Sequence, residues 1–474
     1  MTQEYDLVII GRGAGAFSAA IRASEMTSNQ ATIAMIGYGP IGGTCVNVGC
    51  VPSKYIIEAS KVARTQQKPK YPGIKPVRPE INFAKLIESL REAVKEERRS
   101  KYEDILKFYP NIRVYDGKAS FISADTVNIS SKDGDEQVKG YNFIIATGSR
   151  PEIPSIEGLE HTGYLTSENV WDINELPDRL GIIGGGFVAL EIGQALQRLG
   201  TQVSIIKKHD TIAREIEKEI GDELIKALKN EWITFYIGRD VRKVYGKNGR
   251  KIILTEYEGK EEEIDVDQIL IASGRSPNVD GLSLENAGIE YSKRGINVNG
   301  DFSTSNPAIY AAGDVVDQKY KLETLAAREG ATISYNIFNH SSKEINLNEI
   351  PWAIFTEPQL ASVGCTEEEY NRKGSKAISR VLPLASIPKA RLLREELGMF
   401  KIVADQDTEK IVGIQILAPY AAEFIMEGVM AIKGGYTYRE IIDNSHIFPT
   451  VAEGIKLASQ SFTRDMARMS CCVE

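Results

Sequence analysis

Tyr5-Asp-Leu-Val-Ile-Ile10 runs directly into Gly11-Arg-Gly13-Ala-Gly15-Ala16. A short apolar run that stops at a glycine turn predicts a buried strand, and the Ala-rich stretch Ala14 to Glu25, apolar at helical spacing, predicts the helix after it. Ala31 to Ile36 predicts a second strand. The same order returns in mid-chain: Arg179-Leu-Gly-Ile-Ile183, the turn Gly184-Gly-Gly186-Phe-Val-Ala189, a helix through Leu199, and a strand at Gln202 to Ile206. Two βαβ units about 170 residues apart predict an α/β chain with two doubly wound nucleotide-binding domains.

Each glycine turn opens a helix, whose free backbone N–H groups suit a pyrophosphate, so a dinucleotide is the expected ligand of both. Alanine stands in the third position of each turn, as Ala16 and Ala189. The fingerprint expects an acid for the ribose at the end of the second strand, but Gly37 follows Ile36 in the first unit. In the second unit Lys207 and Lys208 follow Ile206. Two cations there suit a 2′-phosphate, which predicts NADPH over NADH; the alternative is a pair of solvated surface lysines.

The length of 474 residues suggests about three domains. With 57 Lys+Arg against 65 Asp+Glu the net charge is −8, which offers no general footprint for nucleic acid. No apolar run approaches the roughly 18 residues that a bilayer span requires. The start, Met1-Thr-Gln-Glu-Tyr-Asp6, lacks the features of a secretory signal, so the expected location is the cytoplasm. Boundaries are expected at Ser149-Arg-Pro151, at Ala272-Ser-Gly-Arg-Ser-Pro-Asn278 and near Asn346 to Pro351. Between the first two units lie the Pro/Lys-rich loop Lys68 to Pro79 and a charged helix, Phe83 to Leu106, whose charges read as a solvated face. Beyond the last boundary, strand-like runs (Phe400 to Ala404, Lys410 to Leu417) alternate with helices predicted at Ala421 to Lys433 and Val451 to Met469, an α+β module.

Five cysteines cannot build a disulfide framework in so long a chain, and in a reducing compartment any pair among them is free for redox or metal work. Gly42-Gly-Thr-Cys45-Val-Asn-Val-Gly-Cys50-Val-Pro-Ser-Lys54 sets two thiols five residues apart. An ideal helix would hold their Cα atoms roughly 8.6 Å apart, beyond the ~7 Å a disulfide spans, so pairing requires a distorted helix. Gly49 and Pro52 supply backbone for one, and a strained, reducible disulfide at a helix start is expected; two buried structural thiols are the alternative. Cys471 and Cys472 are adjacent, too close for an unstrained disulfide and suited as thiolates to a soft metal ion. Cys365 reads as a small core or surface residue.

Assembled, these segments resemble the class I pyridine nucleotide-disulfide oxidoreductases over essentially the whole chain. The resemblance rests on Gly11-x-Gly13, Gly43-Thr-Cys45 through Lys54, Ala146-Thr-Gly148, Gly184-x-Gly186 and Ile309-Tyr-Ala-Ala-Gly-Asp314. Within that family, Val188-Ala-Leu-Glu191, the stretch Glu453 to Phe462 and Ser470-Cys-Cys472 look most like the mercuric reductase branch, and the expected form is one that lacks the amino-terminal metal-binding module many of its members carry. The resemblance implies an FAD domain over residues 1–150, an NADPH domain over 151–278, a central FAD-contacting region over 279–347 and a C-terminal α+β dimerisation domain with its Cys-Cys tail over 348–474. It implies FAD contacts from Gly11, Gly13, Gly15, Ala16, Gly43, Thr44, Lys54, Ala119, Thr147, Gly148 and Asp314. For the nicotinamide side it implies Gly184, Gly186, Phe187, Val188, Glu191, Lys207, Lys208 and Gly274, with Phe187 over the flavin face and Lys54 paired with Glu191.

The implied reaction takes hydride from NADPH through FAD to Cys45 and Cys50, with Cys50 as charge-transfer thiolate and Cys45 as interchange thiol. Cys471 and Cys472 of the second subunit of a homodimer would deliver Hg(II) to that pair, making these four cysteines the metal ligands. Family members that exchange organic disulfides use His-Pro-Thr-x-x-Glu near the C-terminus; here Phe448-Pro-Thr-Val-Ala-Glu453 replaces it, and phenylalanine moves no proton. Mercuric reductases commonly carry tyrosine at that place, so Phe448 departs from that branch as well. Glu453 remains of the motif, His446 reads as a structural histidine, and Tyr102 matches a second active-site tyrosine. Two rivals stand beside this reading: a thioredoxin-type disulfide reductase with a C-terminal dithiol, and a flavoprotein that sequesters soft metals without turnover.

Overall fold

The computed structural model describes residues 3–212 and 215–465. The first glycine turn joins β1 (Gln3–Ile10) to α1 (Ala14–Met26), which leads to β2 (Ile33–Gly37). Then come α2 (Gly43–Asn47), α3 (Cys50–Gln67), α4 (Phe83–Arg98), and the strands β3 (Ile112–Asp116), β4 (Lys118–Ser123), β5 (Thr126–Ser131) and β6 (Gly134–Ile145). They form a seven-stranded sheet in the order β3-β2-β1-β6-β5-β4, with Ile309–Ala311 also pairing in parallel with β6. β1, β2, β3 and the end of β6 run parallel, whereas β4 and β5 extend the sheet antiparallel.

Alternation along β1 explains why both faces are covered. Leu7 and Ile9 point to the side packed by α1 and the helix Glu323–Asn339, while Val8 and Ile10 point to the layer holding Phe121, Val127 and Leu284. The second unit is a five-stranded parallel sheet containing Arg179–Ile183, Gln202–Lys207 and Gln268–Ile271, beside an antiparallel three-stranded sheet. Ser149–Pro151 pairs with Arg275–Pro277 where the chain leaves and re-enters this unit. The C-terminal module is a five-stranded antiparallel sheet flanked by helices.

Three predicted helices differ in the structure. The charged helix starts as expected, capped by Asn82 accepting from the Lys85 amide and burying Phe83, Ile87, Leu90 and Val94. At Arg99–Glu103 it widens into a π-turn, then resumes over Asp104–Leu106, an irregularity that often marks functional positions. The segment Ala421 to Lys433 divides at Ile425 into Ala421–Phe424 and Met426–Gly434. The last helix spans only Glu453–Gln460. The Thr450 hydroxyl accepts from the Glu453 amide at its start, and past its end the hydroxyls of Ser461 and Thr463 bond back to carbonyls, competing with continuation of the helix.

Candidate cofactor and dithiol site

The two glycine turns have matching geometry. Gly11 has φ +140° and Gly184 φ +121°, and a Cβ would fall 2.2 Å from the Ala146 carbonyl oxygen in the first and 2.1 Å from that of Ala272 in the second. Only glycine lets the turn lie this close to the neighbouring strand. The helices that follow start at Gly13 and Gly186 with no side-chain cap and no acid in the first turn, which leaves their N–H groups for an anion.

A cavity of about 670 Å³ extends from Gly13, Ala14 and Gly15 past Gly148 and Asp314 to Cys45, Cys50, Lys54 and Glu191. A second, of about 810 Å³, lies against Gly184, Gly186, Lys207, Lys208 and Gly274. Both volumes fall in the range of roughly 300–1,000 Å³ typical of ligand sites. Phe187 and Val188 line both cavities, and the Phe187 ring stacks on Trp352 at 5.1 Å and 27°. Uncapped helix ends, close glycine contacts and the cavity volumes together fit a dinucleotide in the first cavity and a second nucleotide beyond Phe187.

The sulfur pair sits where the helix is interrupted. Val48 and Gly49 separate α2 from α3, and the Gly49 amide reaches back to the Thr44 carbonyl at 2.7 Å. A Cβ on Gly49 would lie 3.0 Å from that carbonyl oxygen and 3.2 Å from the Cys45 Cα, so glycine lets the two segments close on each other. Pro52 falls in the first turn of α3, where no intrahelical donor is lost. The Val48 carbonyl accepts from the Trp171 indole at 2.9 Å, and Asn47 bridges Ile41, Gly43 and Arg98, which fixes the break. Cys45 and Cys50 are free thiols in hydrogen-bond contact. The Cys45 thiol donates, and that bond together with the charge of Lys54 holds Cys50 below the ordinary thiol range; the same bond and burial raise Cys45.

Lys54 Nζ donates to Glu191 Oε2 at 2.7 Å and lies over the Phe355 ring, while Glu191 Oε1 accepts from the Phe355 amide at 2.9 Å. Three parts of the chain thus meet at one buried carboxylate. Asp314 accepts from the Ser149 hydroxyl at 2.6 Å, and Arg275 donates to the same hydroxyl oxygen at 2.7 Å. Behind it, Glu329 is fully buried; Oε2 accepts from the Gly313 amide at 2.6 Å, Oε1 has no partner, and burial pushes its carboxyl up to about 7. Tyr102, on the π-turn, stands edge-on to Phe17 at 4.8 Å and within reach of the sulfur pair's charge. Burial first, then Glu323, Cys45 and Cys50, push its phenol up to about 12.

Of the expected dinucleotide residues, Gly13, Gly15, Thr44, Lys54, Gly148 and Asp314 line the first cavity directly. Gly11, Ala16, Gly43, Ala119 and Thr147 are set back from its surface; Gly43 supports Gly13 from behind, where a Cβ would meet the Gly13 Cα at 2.7 Å. In the second cavity Lys207 folds over Gly185 and donates to the Ile212 carbonyl at 2.7 Å, and burial lowers its ammonium. Lys208 pairs with Asp240 at 3.2 Å, and Arg239 adds a third cation to the lining.

Phe448 is 56% exposed on the C-terminal module. His446 is held by Glu427 at 2.8 Å, which raises its imidazole above the ordinary range. Glu453 is buried, its Oε2 unpaired, and it does not line the cavity of its own chain. Cys471 and Cys472 lie outside the described residues. Among the described residues no three His, Cys, Asp or Glu side chains gather to hold a metal ion. Cys365 is buried against Asn348 and Lys373. Glu323, Trp352, Ser149, Arg275 and Glu329 belong to the site although no local motif marks them; tertiary structure alone brings them to it.

Residues 5–330 match the pyridine nucleotide-disulphide oxidoreductase family, and residues 350–459 match its dimerisation domain. The chain is 37% identical to a mercuric reductase of Lysinibacillus sphaericus over 99% of its own length and 84% of that protein. It is 35% identical to one of Staphylococcus aureus, again covering 99% of this chain and 84% of the relative. Among solved structures it resembles the Cu(II) complex of the HOCl-induced flavoprotein disulfide reductase RclA from Escherichia coli, with TM-score 0.85, 25% identity and coverage of 98% of this chain and 100% of that one. No helix of the described residues is long and apolar enough to cross a membrane.

Proposed function

The chain belongs to the pyridine nucleotide-disulphide oxidoreductases, close to the mercuric reductases, and from that premise we propose that it is an FAD-dependent mercuric reductase. The reaction is NADPH + Hg(II) → NADP⁺ + H⁺ + Hg(0), in which the two electrons of one hydride match the two the metal takes up. When bound, FAD would carry those electrons from the nicotinamide to the disulfide form of the sulfur pair, and the dithiol so formed would return to the disulfide in passing them to the Hg(II) it holds. The observation that carries the reading is a pair of free thiols, Cys45 and Cys50, opening on the cofactor cavity while the position used for proton transfer in organic disulfide exchange holds Phe448.

The Cys45 thiol and Lys54 favour the thiolate form of Cys50, which suits it to ligate a soft ion, and Cys45 follows as its proton passes to a thiolate leaving the incoming metal complex. Thiolate exchange moves Hg(II) between sulfur ligands without an acid/base histidine. Cys471 and Cys472 of the second subunit serve as the delivering pair, which calls for a homodimer formed through the C-terminal module; its match to the dimerisation domain supports this. Glu453 completes that entry region, and Tyr102 offers a phenol beside the inner pair. Asp314 and Lys54 hold the flavin, while Lys207 and Lys208 select NADPH. The site of action is the reducing cytoplasm, where all four cysteines stay available.

Similarity to RclA favours a second reading, reduction of another oxidant such as a protein or small-molecule disulfide. NADPH oxidation by the purified flavoprotein, measured with Hg(II) in excess thiol and separately with thioredoxin-like and low-molecular-weight disulfides, separates the two. Hg(II)-dependent turnover with little activity on disulfides is expected; efficient disulfide reduction without Hg(II) turnover overturns the proposal.

A further inference from the structure

The first glycine turn carries Arg12 between its glycines, and the strand that should end in a ribose-binding acid ends in Gly37. These two departures fit together. The Arg12 side chain crosses the face of Gly37, where a Cβ would meet its Cγ at 2.7 Å and its Cδ at 3.0 Å. The guanidinium is pinned beyond that point: Nη2 donates to the Tyr115 carbonyl at 2.6 Å and Nη1 to the Gly39 carbonyl at 3.1 Å, and Nη1 forms an ion pair with Asp116 Oδ1 at 3.1 Å. An acid at position 37 and Arg12 in this position exclude each other.

Asp116 is the last residue of β3 and the register partner of Gly37 across the parallel pair β2–β3. The next amide, that of Gly117, donates back to the Gly37 carbonyl at 2.9 Å. A carboxylate therefore stands at the carboxyl end of the sheet, one strand over from where the fingerprint expects it. Its side chain is 81% exposed, with Oδ1 on Arg12 and Oδ2 without a protein partner among the described residues. Arg12, by contrast, is largely buried, and its Nε has no acceptor.

We propose that Asp116 binds the adenosine ribose of FAD in place of the acid absent at Gly37, and that Arg12 is the residue that positions it. This rests on the FAD assignment above. A ribose diol donates to a carboxylate from either strand, and the Arg12 ion pair restricts the Asp116 rotamer so that Oδ2 remains for the sugar.

Titration of the flavin-depleted protein with FAD and with FMN, which lacks the adenosine half, tests the assignment. Asp116→Asn is expected to raise the FAD Kd roughly tenfold, the lower end for loss of a hydrogen bond to a charged group, and to leave the FMN Kd unchanged. Gly37→Glu alone is expected to weaken FAD binding through collision with Arg12, and Arg12→Ser combined with Gly37→Glu to restore it to within about twofold, because the usual acid then has room. An unchanged FAD Kd in Asp116→Asn, or equal loss of FAD and FMN, overturns the assignment while leaving the FAD reading intact. Failure of the unaltered protein to bind either flavin overturns both.

Discussion

Glu329 offers a quantitative test of how the first domain is built around its cofactor cavity. Its carboxyl lies with no exposed surface behind Gly313 and Asp314, and burial raises it from an ordinary 4.5 to about 7. At 1.36 kcal/mol per pH unit, that difference corresponds to about 3 kcal/mol of destabilisation once the group must ionise in place. The sign follows from proton counting. Below pH 4.5 both folded and unfolded forms are protonated and nothing is lost. Between 4.5 and 7 the unfolded chain releases the proton that the folded chain keeps, so stability falls as pH rises; above 7 the full cost is present. Glu329→Gln keeps an acceptor for the Gly313 amide at 2.6 Å but removes the ionisation. At about 2–4 °C per kcal/mol for a unit of 150–250 residues, the variant should melt several degrees above the unaltered protein at pH 8 and match it near pH 4.5. Thermal melts followed by circular dichroism at matched ionic strength read this directly. If both proteins show the same change in Tm between pH 4.5 and 8, Glu329 ionises without cost and the argument from burial is wrong.

Replacing both Cys45 and Cys50 by alanine should abolish Hg(II)-dependent NADPH oxidation, whereas Cys365→Ser, at a thiol remote from the cavity, should leave kcat unchanged. Lys207→Glu with Lys208→Ala should lower kcat/KM for NADPH roughly tenfold or more while sparing NADH, since charge-assisted contacts to a 2′-phosphate are lost; an unchanged preference refutes their role. Tyr102→Phe should lower Hg(II) turnover about tenfold without slowing flavin reduction by NADPH, and Phe448→Tyr should raise it if a second phenol is what the site lacks. The Tyr102 phenol, pushed up to about 12, should stay protonated throughout, so its effect should be flat between pH 6 and 9.

The sequence displayed the parts of this molecule that depend on local periodicity. β1, α1, the second strand-turn-helix at Arg179 to Leu199 and the strands of the C-terminal module all have apolar patterns that match the elements they form. The break between Cys45 and Cys50 was legible for a different reason: five residues of ideal helix hold the two Cα atoms farther apart than a disulfide spans, and Gly49 lets the two segments close. What local pattern does not encode is register between distant strands and the path of long side chains. Asp116 reaches Gly37 only through parallel pairing, Lys207 turns back to the Ile212 carbonyl, and Ser149, Arg275 and Asp314 meet from three separate segments. Helix ends were overrun where hydroxyl side chains beyond Gln460 compete for carbonyls, and the π-turn under Tyr102 leaves no mark in an amphipathic pattern.

In the proposed reaction, electrons from NADPH reach Hg(II) through an inner dithiol fed by an outer one. Its most direct test is the stoichiometry of Hg(0) evolved and trapped against NADPH consumed, in excess low-molecular-weight thiol, for the unaltered protein and for Cys471→Ala/Cys472→Ala. One Hg(0) per NADPH, with turnover lowered in the double variant, is the predicted result. NADPH consumption without Hg(0), or metal bound without NADPH consumption, rules out mercuric reduction by this route.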